Sequence, residues 1–304
     1  MSTDAQGSSA IMIVNPAAGR GRATHLAAEV LRAIRDRGGD LDVRSGSSAE
    51  ATRGLVAEAL AEHPDVLVIA GGDGTVTGVL DLLSTAQIPL VLVPAGTGND
   101  FAGALDLPRD PDRIAETILS GVARSVDLGV VESARGTSLF LTVAAFGFDA
   151  KVAARTNRLR WPRGPLRYYL ALLIELARLA PVRYRITDAA GTRELPGTLL
   201  AVCNTRRYGG GMAIAPEARP DDGRLDAVHV APLGRITLLR LFPLLLRGAH
   251  LARAEVSTWS MRDPVRIDAP GMVVYADGEL VAEGFCTVSV RPRALRVLVP
   301  LFRR

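Results

Sequence analysis

One short stretch of the sequence combines residue types that suit phosphate chemistry. The run VIAGGDGTVTGVL at 68–80 leads from a hydrophobic segment into GGDGT before apolar residues resume. Glycines let the backbone turn and present its N–H groups, and a following helix start favours an anion, so this turn predicts a bound phosphate. The alternative is an ordinary strand-to-helix turn. Asp73 favours a phosphate site, because a carboxylate beside a phosphate usually binds a metal ion or takes part in a reaction.

Two later turns also carry clustered carboxylates. ADGE at 276–279 contains Asp277 and Glu279, and PDDGRLD at 220–226 contains Asp222. Phosphoryl transfer requires positioning, charge neutralisation and a group that accepts the hydroxyl proton, which one carboxylate can supply. Because Asp-Gly is also a strong hairpin signal, both segments can equally be tight turns, and the residues alone leave the two interpretations open.

The helices and strands that must position these residues follow two different patterns along the chain. Up to about residue 130, strands alternate with helices, which predicts an α/β fold with a parallel sheet. Strands are predicted at 11–14, 41–44 and 66–69 and within PLVLV, and Ser48 is the predicted N-cap of a helix. The loops at Asn15, Gly71 and Gly96 then share the edge where parallel strands end, which is where ligands bind in such folds.

After about residue 130, short strand-like runs separated by Gly, Pro and Asp predict a mostly antiparallel β domain. Two apolar helical insertions, at 164–181 and 234–252, contain several arginines. Such helices either bury an apolar face in the core or lie on an anionic membrane surface. The predicted domains are 1–130, joined by the tail 294–304 as an added strand, and 131–293.

Composition excludes several classes of protein. The two cysteines, Cys203 and Cys286, are too few for a disulfide scaffold, and no segment approaches the roughly 18 apolar residues of a membrane span. The N-terminus lacks the features of a secretory signal, so a cytoplasmic location is expected. Of the 36 basic residues only Lys151 is a lysine, and no GxxxxGK[ST] loop exists, so any nucleotide is bound by another route.

Six motifs, in order, resemble the bacterial diacylglycerol kinase family, which includes sphingoid-base kinases and soluble lipid kinases. They are NPAAG at 15–19, GGDGT at 71–75, PAGTGNDFA at 94–102, FGFDA at 146–150, PDDGRLD at 220–226 and ADGE at 276–279. The resemblance spans nearly the whole chain. It implies an α/β N-terminal domain that is Rossmann-like, as in phosphofructokinases and NAD kinases, followed by an antiparallel β-sandwich that takes the lipid substrate.

The resemblance also implies site residues. The ATP-binding positions match Asn15, Pro16, Ala17, Ala18, Gly19, Ser45, Gly71, Gly72, Asp73, Gly74, Thr75, Val76, Thr77, Thr97 and Asp100. A structural Mg²⁺ matches Asp222 with the backbone carbonyls of Arg219 and Arg224. The catalytic positions match Asp73, Asp277 and Glu279, with Glu279 as the proton acceptor. The family commonly continues GGDGTxNE, whereas here Thr77 and Gly78 stand in place of the asparagine and the glutamate.

The predicted function is an ATP- and Mg²⁺-dependent lipid kinase of phospholipid metabolism, with diacylglycerol as the expected substrate. The alternatives are an NAD-kinase-like phosphotransferase acting on a soluble substrate and a catalytically silent nucleotide- or lipid-binding regulator. The expected partners are the lipid substrate and, peripherally, an anionic membrane surface at the inner face of the membrane. Nucleic acid is not an expected partner, and an exposed edge strand would permit a homodimer.

Overall fold

The structure is a computed structural model that describes residues 9–162 and 165–301. These residues form two compact units. The first contains the described residues up to Val126 and again from Arg293, and the second is Asp127–Pro292. Two strands, Val122–Ser133 and Glu279–Val299, each contribute residues to both units.

The first unit alternates strands with helices, as its sequence predicts. Its elements are β1 (Ala10–Val14), α1 (Arg22–Arg35), β2 (Asp42–Ser45), α2 (Ala49–Ala61), β3 (Val66–Gly71), α3 (Asp73–Thr77), α4 (Leu80–Ala86), β4 (Leu90–Pro94), α5 (Asp100–Ala104) and α6 (Pro111–Ser120). Ser48 caps α2 as predicted, its side-chain oxygen accepting a hydrogen bond of 3.1 Å from the Ala51 amide.

The strands of this unit form a parallel sheet in the order β2, β1, β3, β4. Val297, near the end of the chain, pairs in parallel with Leu90 on the far side of β4. All six residues of β3 are buried, as expected of a central strand covered on both faces. Because β1, β3 and β4 run in the same direction, the loops that follow them emerge at the same edge of the sheet.

The second unit is built mostly from antiparallel strands. Its elements are β5 (Val122–Ser133), β6 (Gly136–Phe140), β7 (Val143–Gly147), α7 (Phe148–Arg158), α8 (Pro165–Ala177), β8 (Val182–Asp188), β9 (Gly191–Gly197), β10 (Leu199–Cys203), β11 (Leu225–Val230), α9 (Arg235–Leu245), β12 (Val256–Met261), β13 (Val265–Ala276) and β14 (Glu279–Val299).

In this unit the strands follow the order β12, β11, β10, β7, β13, β14, and each neighbouring pair is antiparallel. Strands β8 and β9 form a hairpin that pairs with β13. The core contains large side chains with no exposed surface, including Phe140, Phe146 and Tyr184. The predicted succession of an α/β unit and an antiparallel β unit is therefore confirmed.

Candidate active site

A cavity of about 550 Å³ lies in the first unit, where the loops after β1 and β3 meet the beginning of α2. It is lined by Asn15, Ala17, Ala18, Gly19, Ala49, Glu50, Thr52, Arg53, Gly72, Gly74, Thr75, Gly78, Val79 and Gly96. The size suits a small-molecule ligand, and the position is the usual ligand edge of a parallel sheet.

Three glycines bring the loops of this cavity into close contact. A Cβ on Gly96 would lie 2.6 Å from the Cα of Gly72, and a Cβ on Gly19 would lie 2.0 Å from the carbonyl oxygen of Ala95. Gly19 also has a φ of 59°, a conformation that favours glycine. No side chain fits at these positions, so much of the cavity wall is backbone.

Two asparagines hold these loops through hydrogen bonds, Asn15 between two loops and Asn99 within the loop after β4. The Asn15 side chain donates to the Thr75 hydroxyl over 3.0 Å and accepts from the Ala17 amide over 3.1 Å. The buried Asn99 side chain accepts from the Gly96 amide over 2.8 Å and donates to the Gly96 carbonyl over 3.0 Å. These bonds fix the loop conformations before any ligand binds.

The Asp73 carboxylate links the loop after β3 to the beginning of α5. Its two oxygens accept the amides of Asp100 and Phe101 over 3.0 and 3.2 Å. A Cβ on Gly98 would lie 3.4 Å from Asp73 Oδ2 and 3.3 Å from Asp100 Oδ2, so the two carboxylates converge on this glycine. Two carboxylates with waters and phosphate oxygens are a donor set that suits Mg²⁺.

The structure brings some of the predicted nucleotide-binding residues to the cavity and not others. Those that line it are Asn15, Ala17, Ala18, Gly19, Gly72, Gly74 and Thr75. Pro16, Ser45, Gly71, Asp73, Val76, Thr77, Thr97 and Asp100 do not line it. The Val76 side chain is only 2% exposed and packs in the core, so this residue can offer a ligand only its backbone. The nucleotide-binding role of all these residues stays a prediction.

Sequence reasoning missed a charged pair beside the cavity. Arg53 in α2 donates to both carboxylate oxygens of Asp81, over 2.7 and 2.6 Å, and to the Gly78 carbonyl over 2.9 Å. Gly78, one of the two departures from the family pattern, thus contributes its backbone. The N-cap at Ser48 was a usable signal, because it places the first turns of α2 just after β2, at the same edge as the glycine loops.

The ADGE segment of the second unit is a hairpin turn. Asp277 and Gly278 both have positive φ, 48° and 88°, and join β13 to β14. The Asp277 carboxylate accepts the Leu141 and Thr142 amides over 2.6 and 2.9 Å and also the Thr142 hydroxyl. Burial raises the pKa of Asp277, although these hydrogen bonds act in the opposite direction. This carboxylate therefore holds the turn against the segment before β7.

Glu279 differs from Asp277 although it lies only two residues away. It is exposed, at the first position of β14, and its carboxylate has no hydrogen-bond or ion-pair partner within residues 9–162 and 165–301. The turn beside it is held by Asn157, whose side chain donates to the Gly278 carbonyl over 3.0 Å. Glu279 is thus an accessible carboxylate on a fixed turn, which is what a general base requires.

The PDDGRLD loop is held by a buried carboxylate from another segment. Asp127 is 1% exposed and accepts the Gly223 amide over 2.7 Å. Asp222 is exposed, and one of its oxygens accepts the Arg224 amide over 3.1 Å. Within the described part of the chain, no group of three or more His, Cys, Asp or Glu residues is suited to a metal ion. A metal here would need backbone carbonyls and water besides Asp222, and the roles of Arg219 and Arg224 stay predictions.

The FGFDA segment contributes another buried carboxyl. Gly147 ends β7 with a φ of 74°, and a Cβ there would lie 2.1 Å from the Tyr184 hydroxyl oxygen. Asp149 follows in the first turn of α7. Burial raises its pKa to about 6, while a hydrogen bond from Tyr208 acts in the opposite direction.

The two apolar insertions each bury one apolar side in the core, as one of the two alternatives predicts, and each also has an exposed apolar side; contact with a membrane stays a prediction. Ala171 of α8 and Leu238 of α9 belong to one hydrophobic cluster with α7, and Arg235 donates to the carbonyls of Leu176 and Ala177. The exposed large apolar side chains are Leu166, Tyr169 and Leu173 in α8, with Trp161 before it, and Ile236, Leu239 and Leu246 in and just after α9. No helix among the described residues is long and apolar enough to cross a membrane.

Two family models match the chain and together cover most of it. Residues 9–131 match the diacylglycerol kinase catalytic domain. Residues 142–299 match the YegS C-terminal NAD kinase beta sandwich-like domain. The resemblance seen in the sequence motifs is confirmed, and so is the predicted β-sandwich of the second unit.

Curated relatives agree with these models. The chain is 41% identical over 292 residues to a diacylglycerol kinase of Mycobacterium tuberculosis, covering 95% of this chain and 94% of that protein. It is 34% identical over 275 residues to a probable lipid kinase YegS-like of Pseudomonas aeruginosa, covering 88% of this chain and 87% of that protein.

Solved structures share the fold. A diacylglycerol kinase from Bacillus anthracis superposes with a TM-score of 0.72 at 19% identity, covering 97% of each chain. An NAD kinase from Archaeoglobus fulgidus superposes with a TM-score of 0.55 at 14% identity, covering 97% of this chain and 94% of that one. The predicted likeness to NAD kinases in fold is thus confirmed.

Proposed function

Because this chain belongs to the diacylglycerol kinase family and is therefore an ATP-using lipid kinase, we propose that it phosphorylates diacylglycerol to phosphatidic acid. The observation that carries the choice of substrate is the 41% identity, over 95% of the chain, to a protein named diacylglycerol kinase. Sphingoid bases, ceramide, phosphatidylglycerol and polyprenols also present a hydroxyl group beside an apolar tail, and they are the competing acceptors.

The cavity of the first unit is the proposed nucleotide site. Its wall of backbone at Gly19, Gly72 and Gly96 leaves room for phosphate oxygens, and Asn15 and Thr75 add polar side chains. Preformed hydrogen bonds between the loops limit the entropy lost on binding, because the loops need not be ordered by the nucleotide. This arrangement needs no lysine, in agreement with the composition.

Mg²⁺ is the proposed metal, and the residues present fit it. Asp73 and Asp100, which converge on Gly98, would hold the ion that accompanies the nucleotide. When bound, the ion supplies neutralising charge for the phosphoryl group. Asp222, with the carbonyls of Arg219 and Arg224, would hold a second, structural ion that tethers its loop.

Glu279 is the proposed proton acceptor. As the lipid hydroxyl oxygen forms its bond to the γ-phosphorus, the bond from that phosphorus to the ADP oxygen breaks, and the hydroxyl proton passes to the Glu279 carboxylate. Asp277 acts through the turn, since its oxygens are engaged by Leu141 and Thr142. The freedom of the Glu279 carboxylate among the described residues supports this division of roles.

We further propose that the exposed sides of α8 and α9 rest on an anionic lipid surface, from which the substrate is taken. Leu166, Tyr169 and Leu173 lie three and four residues apart and so share one side of α8. The one acidic residue in these two helices, Glu175, is buried and paired with Arg155, whereas Arg240 and Arg247 are exposed. Apolar side chains among arginines suit an anionic bilayer.

Vesicle binding tests this membrane contact. Binding to vesicles that contain anionic lipid should exceed binding to neutral vesicles and should weaken with salt. Ile236→Ser, which alters a side chain 68% exposed, should weaken binding, whereas Leu119→Ser, in α6 and 46% exposed, should not. Equal binding to anionic and neutral vesicles would contradict the proposal.

The substrate is tested by incubating the protein with γ-labelled ATP and a total lipid extract and identifying the labelled product. Phosphatidic acid is the expected product. Label in another lipid would reassign the substrate within the family. ATP binding without turnover on any lipid would favour a regulatory protein.

A further inference from the structure

The two sides of the nucleotide cavity differ in chemistry. One side is made by the glycine loops, with Gly19, Gly72 and Gly96 at their closest approach. The other side is made by the first turns of α2, which contribute the charged side chains of Glu50 and Arg53. A nucleoside triphosphate has the same asymmetry, because its anionic phosphates lie at one end and its neutral, hydrogen-bonding nucleoside at the other.

Arg53 is fixed in place and its charge is balanced. Its guanidinium donates to both oxygens of Asp81 and to the Gly78 carbonyl, which accounts for three of its five N–H groups within the described residues. The hydrogen bond and charge of Arg53 lower the pKa of Asp81, so the pair is ionised at neutral pH. With Asp81 beside it, Arg53 offers little net attraction for a triphosphate. Its remaining N–H groups can still donate to a neutral acceptor.

Glu50 carries a negative charge, which does not suit a phosphate site. It is exposed, it lies three residues before Arg53 on the same helix, and its carboxylate has no partner among the described residues. A carboxylate repels phosphate oxygens, but it accepts hydrogen bonds from hydroxyl groups and is the usual partner of ribose hydroxyls in dinucleotide sites. The alternative role for Glu50 is a favourable interaction with the dipole at the start of α2.

We infer that the first turns of α2 bind the nucleoside end of ATP, with Glu50 accepting a hydrogen bond from a ribose hydroxyl and Arg53 donating to an acceptor on the nucleoside. This inference rests on the proposed nucleotide site and adds an orientation to it. The triphosphate points to the glycine loops and to Asp73, while the ribose and base lie beside α2. Asp81 and the Gly78 carbonyl position Arg53.

The test compares the affinities of several ligands for the unmodified protein and for two variants. Affinities are measured by calorimetry for ATP, 2′-deoxyATP, 3′-deoxyATP and inorganic tripolyphosphate, with the unmodified protein and with Glu50→Ala and Arg53→Met. Glu58→Ala is the matched control, since Glu58 is an exposed glutamate of α2 that does not line the cavity. Thermal unfolding of each variant shows whether it is folded.

The unmodified protein should bind ATP about tenfold or more tightly than one of the deoxynucleotides, the magnitude of a hydrogen bond to a charged group. Glu50→Ala should abolish that preference and leave the affinity for tripolyphosphate unchanged. Arg53→Met should lower the affinity for ATP more than the affinity for tripolyphosphate. Glu58→Ala should change nothing.

Retention of the ribose preference in Glu50→Ala would overturn the role of Glu50. An equal loss of ATP and tripolyphosphate affinity in Arg53→Met would place Arg53 at the phosphate end and overturn the orientation. If the unmodified protein bound tripolyphosphate and ATP equally well, the nucleoside contact would be wrong although the phosphate site survived. If it bound neither, the proposed nucleotide site itself would fail.

Discussion

Asp73 in the first unit and Asp277 in the second both use a carboxylate to hold one loop against another. Asp73 accepts two backbone amides, those of Asp100 and Phe101. Asp277 accepts the amides of Leu141 and Thr142 and the Thr142 hydroxyl, and burial raises its pKa. A carboxylate offers about four acceptor sites, so Asp73 retains capacity for a metal ion while Asp277 is largely occupied.

This difference divides residues that look alike in the sequence. Asp73, Asp277 and Glu279 all follow or precede a glycine in a predicted turn and were all predicted to be catalytic. In the structure, the Asp277 carboxylate holds a turn. The Asp73 carboxylate holds the beginning of α5 and also lies near the Asp100 carboxylate. Of the three, only Glu279 has no hydrogen-bond or ion-pair partner within the described residues. The expected effects of substitution therefore differ in kind. Three substitutions test that division, and a fourth tests Asp222, the carboxylate of the PDDGRLD loop.

The largest effect is expected from Glu279→Gln, which preserves shape and removes the proton acceptor. The kcat should fall by about 100- to 10,000-fold with the KM for ATP little changed, because general-base assistance acts in the transition state. Steady-state lipid phosphorylation measures both constants. Glu283→Gln is the matched control, an exposed glutamate of the same strand, and should retain activity. Near-normal kcat across neutral pH in Glu279→Gln would move the base to another carboxylate.

Asp73→Asn should have the next largest effect, with a different signature. An amide can keep only one of the two oxygen acceptors and is a poorer metal ligand, so activity should fall by about 10- to 100-fold. Raising the Mg²⁺ concentration should restore part of the loss, whereas the Glu279 variant should keep the normal Mg²⁺ dependence. An unchanged Mg²⁺ profile in Asp73→Asn would mean that this carboxylate serves only to hold α5.

Asp277→Asn should mainly lower the free energy of unfolding. The new side-chain NH₂ group faces the amides of Leu141 or Thr142, which leaves a donor unsatisfied and costs about 1–3 kcal/mol. Urea unfolding measures the loss, and any fall in kcat should accompany displacement of the turn. If stability stayed unchanged while kcat fell as far as in Glu279→Gln, Asp277 would belong with the reacting groups.

The smallest effect is expected from Asp222→Ala. If Asp222 holds a structural Mg²⁺, the metal binds the folded state and stabilises it, so the variant should melt a few degrees lower in Mg²⁺. EDTA should lower the melting temperature of the unmodified protein and change that of the variant little. The scans are run without nucleotide, so that an ion at Asp73 and Asp100 does not contribute. An equal response to EDTA in both proteins would count against the metal.

Much of the fold follows from local sequence signals, whereas the contacts of the site do not. The apolar run at 66–69 predicts β3, Ser48 predicts the start of α2, and the Asp-Gly pair predicts the turn between β13 and β14. The limits of elements shift where local signals are weak. The strand predicted at 41–44 is Asp42–Ser45, one residue further along the chain.

Arg53 and Asp127 were missed for the same physical reason. Arg53 meets Asp81 across 28 positions, and Asp127 meets Gly223 across 96, so neither pair produces a local pattern. Asn99 was missed for another reason. Its left-handed backbone and its two hydrogen bonds to Gly96 shape the turn after β4, a role that depends on backbone geometry and not on residue spacing.

The central claim is that the protein transfers a phosphoryl group from ATP to a lipid hydroxyl, and the most direct test divides labelled phosphate between two acceptors. The purified protein is incubated with γ-labelled ATP, Mg²⁺, diacylglycerol in anionic vesicles and NAD in the same tube, and the lipid and aqueous phases are separated. The label should enter the lipid phase as phosphatidic acid and should leave NAD unmodified. Label on NAD, with none in the lipid phase, would contradict the account.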